Sequence, residues 1–153
     1  MKILFVCIGN SCRSPMAEAI MKDIVLKEGL DWIIDSAAIA DWNVGYLPED
    51  RCLAVLRENE LDSNHIGRQI SQEDFAQFDY IFGMDESNLS DLQTLAPKNC
   101  NARIELLGNY RMKELDKIIF DPYFEQGIHS FRRCYDQIAI CCRNFIRQKR
   151  TST

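Results

Sequence analysis

Cys7-Ile8-Gly9-Asn10-Ser11-Cys12-Arg13-Ser14-Pro15 follows directly on the apolar run Ile3-Leu4-Phe5-Val6 and leads into a segment of helical periodicity. The order strand, loop, helix converges backbone N–H groups on one point, with the positive end of the following helix behind them. Such a loop favours an anion. Cys7 enters that field first, and a thiol there is expected to ionise more readily through the amide dipoles, the helix N-terminus and the Arg13 guanidinium. The planar fork of Arg13 suits two oxygens of a phosphate or similar tetrahedral oxyanion. Gly9 is read as the residue that lets the backbone turn tightly, Ser14 as a hydrogen-bond donor to the sulfur, and Pro15 as a residue of the first helical turn. A bare Cys-x5-Arg arises often by chance, and burial as a small hydrophobe is the commoner fate of a cysteine. The preceding strand and the following Ser-Pro helix start make the pattern much more specific.

Around this loop the chain alternates. Met16, Ala19, Ile20 and Ile24, flanked by Met21 and Val25, form a stripe of helical period that stops near Gly29, a helix of about a dozen residues. Residues 32–36 read as a short buried strand that delivers Ser36 at its end, and residues 37–45 as a loop carrying Trp42. Pro48 starts a second helix running to Leu61, with Leu53, Val55 and Leu56 inward. The stretch from His65 to Ile70 is irregular, and Ser71-Gln72-Glu73-Asp74 reads as a helix cap ahead of Phe75 and Phe78. Residues 80–84 form a third strand ending at Asp85, residues 87–96 a short helix, and residues 103–107 a fourth strand. Residues 108–126 are loop, and a last helix carries Ile128, Phe131, Tyr135, Ile138, Cys142 and Phe145 at three- and four-residue steps. Such alternation implies βαβ crossovers and a parallel sheet covered on both faces, with ligand bound beyond the C-terminal ends of the strands.

The length of 153 residues gives a single domain over 1–153, and 46% hydrophobic with 27% charged residues is the balance of a chain that buries a core. A net charge of -5 argues against nucleic acid as the main partner, so anion recognition has to be local. Seven cysteines, an odd number without framework spacing, and the lack of a secretory signal or membrane-length apolar run lead us to expect reduced thiols in the cytoplasm. With two histidines and an adjacent Cys141-Cys142 pair whose side chains diverge on a helix, no metal site or cofactor is readable.

A thiolate attacking a phosphomonoester needs a proton for the departing oxygen, delivered from the side opposite the cysteine loop. Asp121, held by Pro122 in a loop with aromatic neighbours, is the candidate; taken alone, Asp-Pro is an ordinary turn signal. Trp42, Tyr123 and Phe124, together with the weaker candidate Tyr46, fall in the two loops flanking such a pocket. A deep aromatic slot admits phosphotyrosine and keeps phosphoserine short of the nucleophile. Asn10, Ser36 and His65 are candidates for a polar network that holds the loop, although a lone histidine is more often simply a satisfied side chain. Cys12 is either a packed thiol or a partner that traps oxidised Cys7 as a disulfide.

Taken together, Cys7 to Pro15, Met84-Asp85-Glu86-Ser87-Asn88-Leu89 and Asp121-Pro122-Tyr123 resemble the low molecular weight protein tyrosine phosphatases. The likeness spans nearly the whole chain, with Asp35-Ser36-Ala37, Asp41-Trp42-Asn43-Val44-Gly45, His65, Arg68-Gln69 and Cys141-Cys142-Arg143 in the family's order. It implies a three-layer αβα, flavodoxin-like fold with a four-stranded parallel sheet of order 2-1-3-4. It also implies hydrolysis of phosphotyrosine in proteins and of small aryl phosphates through a phosphocysteine, without metal or other cofactor. By the same likeness Cys7 is nucleophile, Arg13 and the loop from Ile8 to Ser14 bind phosphate, and Asp121 is acid then base. Cys12 is the redox partner, Asn10, Ser14, Ser36 and His65 are the supporting network, and Trp42 lines the specificity loop. Two departures stand out. Ser11 occupies a place where the family often carries an aliphatic residue bordering the pocket, and Phe124 replaces the second tyrosine of Asp-Pro-Tyr-Tyr. A thioredoxin-coupled arsenate reductase, whose loop is similar, needs a nearby cysteine pair where this chain has Cys100 alone, and a non-hydrolysing phosphotyrosine binder would not need Asp121.

Overall fold

The computed structural model describes residues 1–151, the side chain of Thr151 apart, and its backbone follows the alternation in order. β1 (Lys2–Cys7) leads through the loop to α1 (Arg13–Lys27) and β2 (Ile33–Ala38). α2 (Asp50–Glu58) and α3 (Gln72–Gln77) precede β3 (Tyr80–Gly83), then α4 (Glu86–Leu95), β4 (Arg103–Leu106), a 3-10 turn over Leu107–Tyr110, and α5 (His129–Thr151). The four strands pair in the order β2-β1-β3-β4, all parallel, as the resemblance implied.

β1 is central, which is why Ile3 to Cys7 is buried throughout: a parallel strand covered on both faces needs no polar alternation. Its period of two still sorts the side chains. Ile3, Phe5 and Cys7 join the larger core, made with α1, α2, α5, Tyr80 and Phe82. Leu4 and Val6 join the smaller one, made with Phe75, Phe78, Ile81 and Leu92. Cys7 therefore leaves the sheet at the C-terminal edge on the α1 side.

Several boundaries move relative to the sequence reading. β2 runs two residues beyond Ser36 because the ladder to β1 continues to Cys7↔Ala38. Ser36 is consequently inside the strand opposite Phe5, aimed at α1, and is not a strand-end residue. α1 has fifteen residues and starts at Arg13 itself; all of Arg13 to Met21 is buried because the helix is wedged between the sheet and α5, while Ile24 is only half-buried. α2 starts after Pro48, with Glu49 as its cap accepting from the Arg51 N–H at 3.2 Å. The cap read at residues 71–74 is a capping box in which the Asp74 carboxylate accepts the Ser71 N–H at 2.8 Å. Beyond β4, Gly108 passes so close to the returning chain that a Cβ there would lie 1.7 Å from the Lys117 carbonyl oxygen. That crossing carries residues 111–128 back over the edge of the sheet where Cys7 emerges. Among the described residues no helix is long and apolar enough to cross a membrane.

Candidate active site

Beyond β1 the chain turns through the loop, and the residue in the left-handed region is Asn10 (φ 52), not Gly9. Gly9 makes room in a different way than by a tight turn: a Cβ would sit 2.9 Å from Asn43 Nδ2, which donates to the Gly9 carbonyl at 3.0 Å, so the Asn43 side chain would have to shift. A left-handed Asn costs energy unless its surroundings over-determine it, and here they do. Asn10 Oδ1 accepts from the Arg68 N–H at 3.2 Å and from His65 Nε2 at 2.7 Å. Its Nδ2 donates to Ser14 Oγ at 2.8 Å and Ser36 Oγ at 3.0 Å.

These contacts fix proton directions. The Arg68 N–H identifies the Asn10 oxygen, so the amide nitrogen occupies a lone pair of Ser14 Oγ. The Ser14 hydroxyl proton is thereby free to point at Cys7 Sγ, 3.0 Å away. On the other branch, Ser36 Oγ donates to Glu18 Oε1 at 2.6 Å, and the same carboxylate lies 3.0 Å from His65 Nδ1. Both ring nitrogens of His65 face acceptors, Nε2 toward Asn10 Oδ1 and Nδ1 toward Glu18. Glu18 is 4% exposed, and burial alone would raise its pKa. Hydrogen bonds from His65, Lys22 and Ser36 outweigh that and hold it below the ordinary carboxylate value.

Arg13, at the first position of α1, is 2% exposed. Its Nη1 donates to Asp85 Oδ2 at 2.7 Å and to the Ile119 carbonyl at 2.9 Å, and Nη2 lies 3.7 Å from Asp121 Oδ2. Burial works against the cation, but the Cys7 sulfur and the carboxylates of Asp85 and Asp121 more than compensate and raise its pKa. Cys12 is the contrasting thiol: burial, with Cys7, Asp121 and Glu49 nearby, pushes its pKa well above the ordinary range.

The resulting cavity, about 230 Å³, is lined by Cys7, Ile8, Gly9, Ser11, Cys12, Arg13, Trp42, Asn43, Asp121, Tyr123 and Phe124. Thus the loop, the acid candidate and the three aromatic wall candidates meet in one place, whereas Tyr46 is exposed outside it. Asn10, Ser14, Ser36 and His65 stand behind the loop as a hydrogen-bonded layer. Trp42 and Phe124 are 67% and 85% exposed, so they form a rim rather than a deep wall. Tyr123 and Phe124 meet edge to face at 5.2 Å.

Sequence reasoning missed Glu18 and Asn43 as members of the site; it brought Asp85 to the ligand end of the sheet but gave it no role, and the structure places it against Arg13. Glu18 sits amid the apolar stripe of α1, and a carboxylate on a core-facing stripe is the signal that could have found it. Asp85 ends β3 beside Cys7's strand, where its N-cap bond to the Asn88 N–H, 2.8 Å, also supplies a structural explanation. Glu18, Asp35 and His65 group their ligand atoms within 4.8 Å. Cations already occupy them: Arg68 Nε lies 3.1 Å from Asp35 and Lys22 Nζ 2.7 Å from Glu18.

Known proteins share this fold. Residues 2–152 match the family model for the low molecular weight phosphotyrosine protein phosphatase. The pig protein of that name is 48% identical over 153 residues, covering 97% of this chain and 95% of the relative. The Drosophila melanogaster low molecular weight phosphotyrosine protein phosphatase 2 is 47% identical, covering 97% and 92%. The crystal structure of DARP, a drosophila arginine phosphatase, superposes with a TM-score of 0.94 at 48% identity, covering 97% of this chain and 98% of that one. With its fold and nearly all of its length accounted for in this way, the chain belongs to the low molecular weight phosphotyrosine protein phosphatase family.

Proposed function

We propose that this protein hydrolyses phosphotyrosine in proteins and small aryl phosphates through a phosphocysteine intermediate. The observation that carries the reading is the convergence of Cys7, Arg13 and Asp121 on one cavity. Cys7 Sγ attacks phosphorus in line; the loop N–H groups and the Arg13 fork hold the equatorial oxygens. Asp121 gives its proton to the departing phenolate oxygen, then takes one from the water that attacks the phosphocysteine. The thiolate that leaves is received by the Ser14 hydroxyl proton. Asp85 and the Ile119 carbonyl hold the Arg13 plane for bidentate contact. Oxidation of Cys7 by peroxide to the sulfenic acid, followed by attack of the Cys12 thiol with loss of water, forms a reversible disulfide that protects the nucleophile.

The test is hydrolysis of an aryl phosphate in the presence of a chelator. A burst of phenol and a trappable phosphocysteine are expected, both abolished by Cys7→Ser. Turnover that survives that substitution, or that requires a divalent ion, overturns the mechanism.

A second reading replaces the aryl group with a phosphorylated guanidinium. Two observations favour it: Ser11 puts a hydroxyl on the cavity wall where an aliphatic side chain is usual in the family, and a neighbour of 48% identity is an arginine phosphatase. A guanidinium offers N–H donors that a hydroxyl can accept, whereas an aryl ring offers none. Values of kcat/KM on matched phosphotyrosine and phosphoarginine peptides decide between them. If the second reading holds, Ser11→Ile lowers phosphoarginine turnover and spares or raises that of phosphotyrosine.

A further inference from the structure

Arg51, on the first turn of α2 and 72 or more residues away in sequence, grips the loop that carries Asp121. Its Nη1 donates to the Glu125 carbonyl at 2.6 Å and the Gly127 carbonyl at 3.1 Å, and its Nη2 donates to the Tyr123 carbonyl at 3.0 Å. The guanidinium is itself held. Glu49 Oε1 accepts from Nε at 2.9 Å, and the Phe131 ring lies beneath it, 4.4 Å from the guanidinium carbon. Five N–H donors in a rigid plane thus meet four acceptors, three of them carbonyls of alternate residues in a loop without helix or strand to stiffen it.

The same helix start also holds the cysteine loop. The Glu49 N–H donates to the Ser11 carbonyl at 2.9 Å, and the Cys52 thiol donates to the Cys12 carbonyl at 3.4 Å. Three residues within four positions, Glu49, Arg51 and Cys52, therefore tie the phosphate-binding loop to the loop bearing the acid. The other direct tie between the two loops is Arg13, which donates to the Ile119 carbonyl at 2.9 Å and approaches Asp121 to 3.7 Å, on the N-terminal side of the acid; Arg51 holds the C-terminal side.

We propose that Arg51 is a positioning residue: by clamping the carbonyls of Tyr123, Glu125 and Gly127 it sets the reach of Asp121 and the height of the Tyr123 and Phe124 rim over Cys7. This rests on the acid role of Asp121 given above. Since a misplacement of about 1 Å costs on the order of 100-fold in rate, release of the clamp acts on protonation of the leaving group and leaves thiolate attack largely alone.

The experiment measures kcat/KM for a series of aryl phosphates of rising leaving-group basicity in Arg51→Ala, Arg51→Lys, Asp121→Asn and the Arg51→Ala, Asp121→Asn double variant. Hydrogen exchange over residues 121–127 and thermal denaturation are recorded in parallel. Arg51→Ala is expected to lose about 10- to 100-fold on phenyl phosphate and only a few-fold on a nitrophenyl phosphate. Exchange should speed up in residues 121–127 while the sheet is unchanged, and Arg51→Ala should add little in the Asp121→Asn background. Arg51→Lys keeps the cation without the fork and should recover only part, which keeps the test open if Arg51→Ala folds poorly. Equal losses across the series, unchanged exchange in the loop, or full activity of Arg51→Lys overturns the clamp while Asp121→Asn still shows its own leaving-group dependence. A flat response of Asp121→Asn overturns the acid reading and the clamp with it.

Discussion

Loss of the buried carboxylate of Glu18 should be costly. Ser36 Oγ at 2.6 Å, Lys22 Nζ at 2.7 Å and His65 Nδ1 at 3.0 Å all converge on it, and it is 4% exposed. Glu18→Ala leaves His65 Nδ1 without its nearer acceptor, Asp35 Oδ1 standing 3.7 Å away, and the buried Ser36 hydroxyl without its acceptor. Leaving a buried polar group unsatisfied costs about 1–3 kcal/mol, so about 2–6 kcal/mol for the two. For a chain of this size that corresponds to a fall in Tm of roughly 4–24 °C. Glu18→Gln keeps the shape and one acceptor but not the charge, and the loss should be about 1.5–3 kcal/mol. The pH dependence follows from the direction of the shift. The folded carboxyl titrates below its ordinary value of 4.5, so its contribution is fully present above pH 4.5 and is lost as pH falls through the lower folded pKa. Urea denaturation of wild type and Glu18→Gln at neutral pH, and again below the folded pKa, should therefore show a gap that closes on acidification. A loss under about 1 kcal/mol at neutral pH, or a gap that persists at low pH, refutes the reasoning. Because the same carboxylate orients His65 and Ser36 behind Asn10, a fall in kcat should accompany the loss of stability.

Asp121→Asn should reduce turnover strongly for phosphates with basic leaving groups and much less for activated phenols, since only the former need protonation; equal losses would remove Asp121 from the acid role. Mild peroxide should inactivate the wild type reversibly, and Cys12→Ser should recover less on addition of thiol; unchanged recovery makes Cys12 structural. Phe82→Ala opens a cavity among Phe5, Tyr80, Tyr110 and Phe145, whose rings lie 5.2 to 5.8 Å from it, and should cost about 3–5 kcal/mol in denaturant with no change in leaving-group dependence.

The anion loop was legible because its parts are adjacent: a strand, a tight loop, an Arg and a helix start lie within fifteen residues. The place of Asp121 on the cavity was legible through chemical need, as the proton donor that the proposed cysteine nucleophile would require. The supporting layer was only half legible. Asn10, Ser14, Ser36 and His65 are polar and near predicted strand or loop ends, but Glu18 lies within a helix stripe with no motif around it. Arg51 likewise sits in no local pattern that sets it apart from other cations. Ser36 was placed at a strand end because pairing length depends on the neighbouring strand, here β1, and not on local pattern.

By itself the sequence determined the order of elements, the parallel sheet and the oxyanion loop, since these rest on periodicity and on neighbours within a few residues. Tertiary structure alone decided which polar groups share protons. Glu18, Ser36, His65 and Asn10 span residues 10 to 65, and three Arg51 hydrogen bonds cross more than seventy positions. Hydrogen bonds require approach within about 3 Å, and no local pattern in a chain encodes which distant residues folding will bring that close.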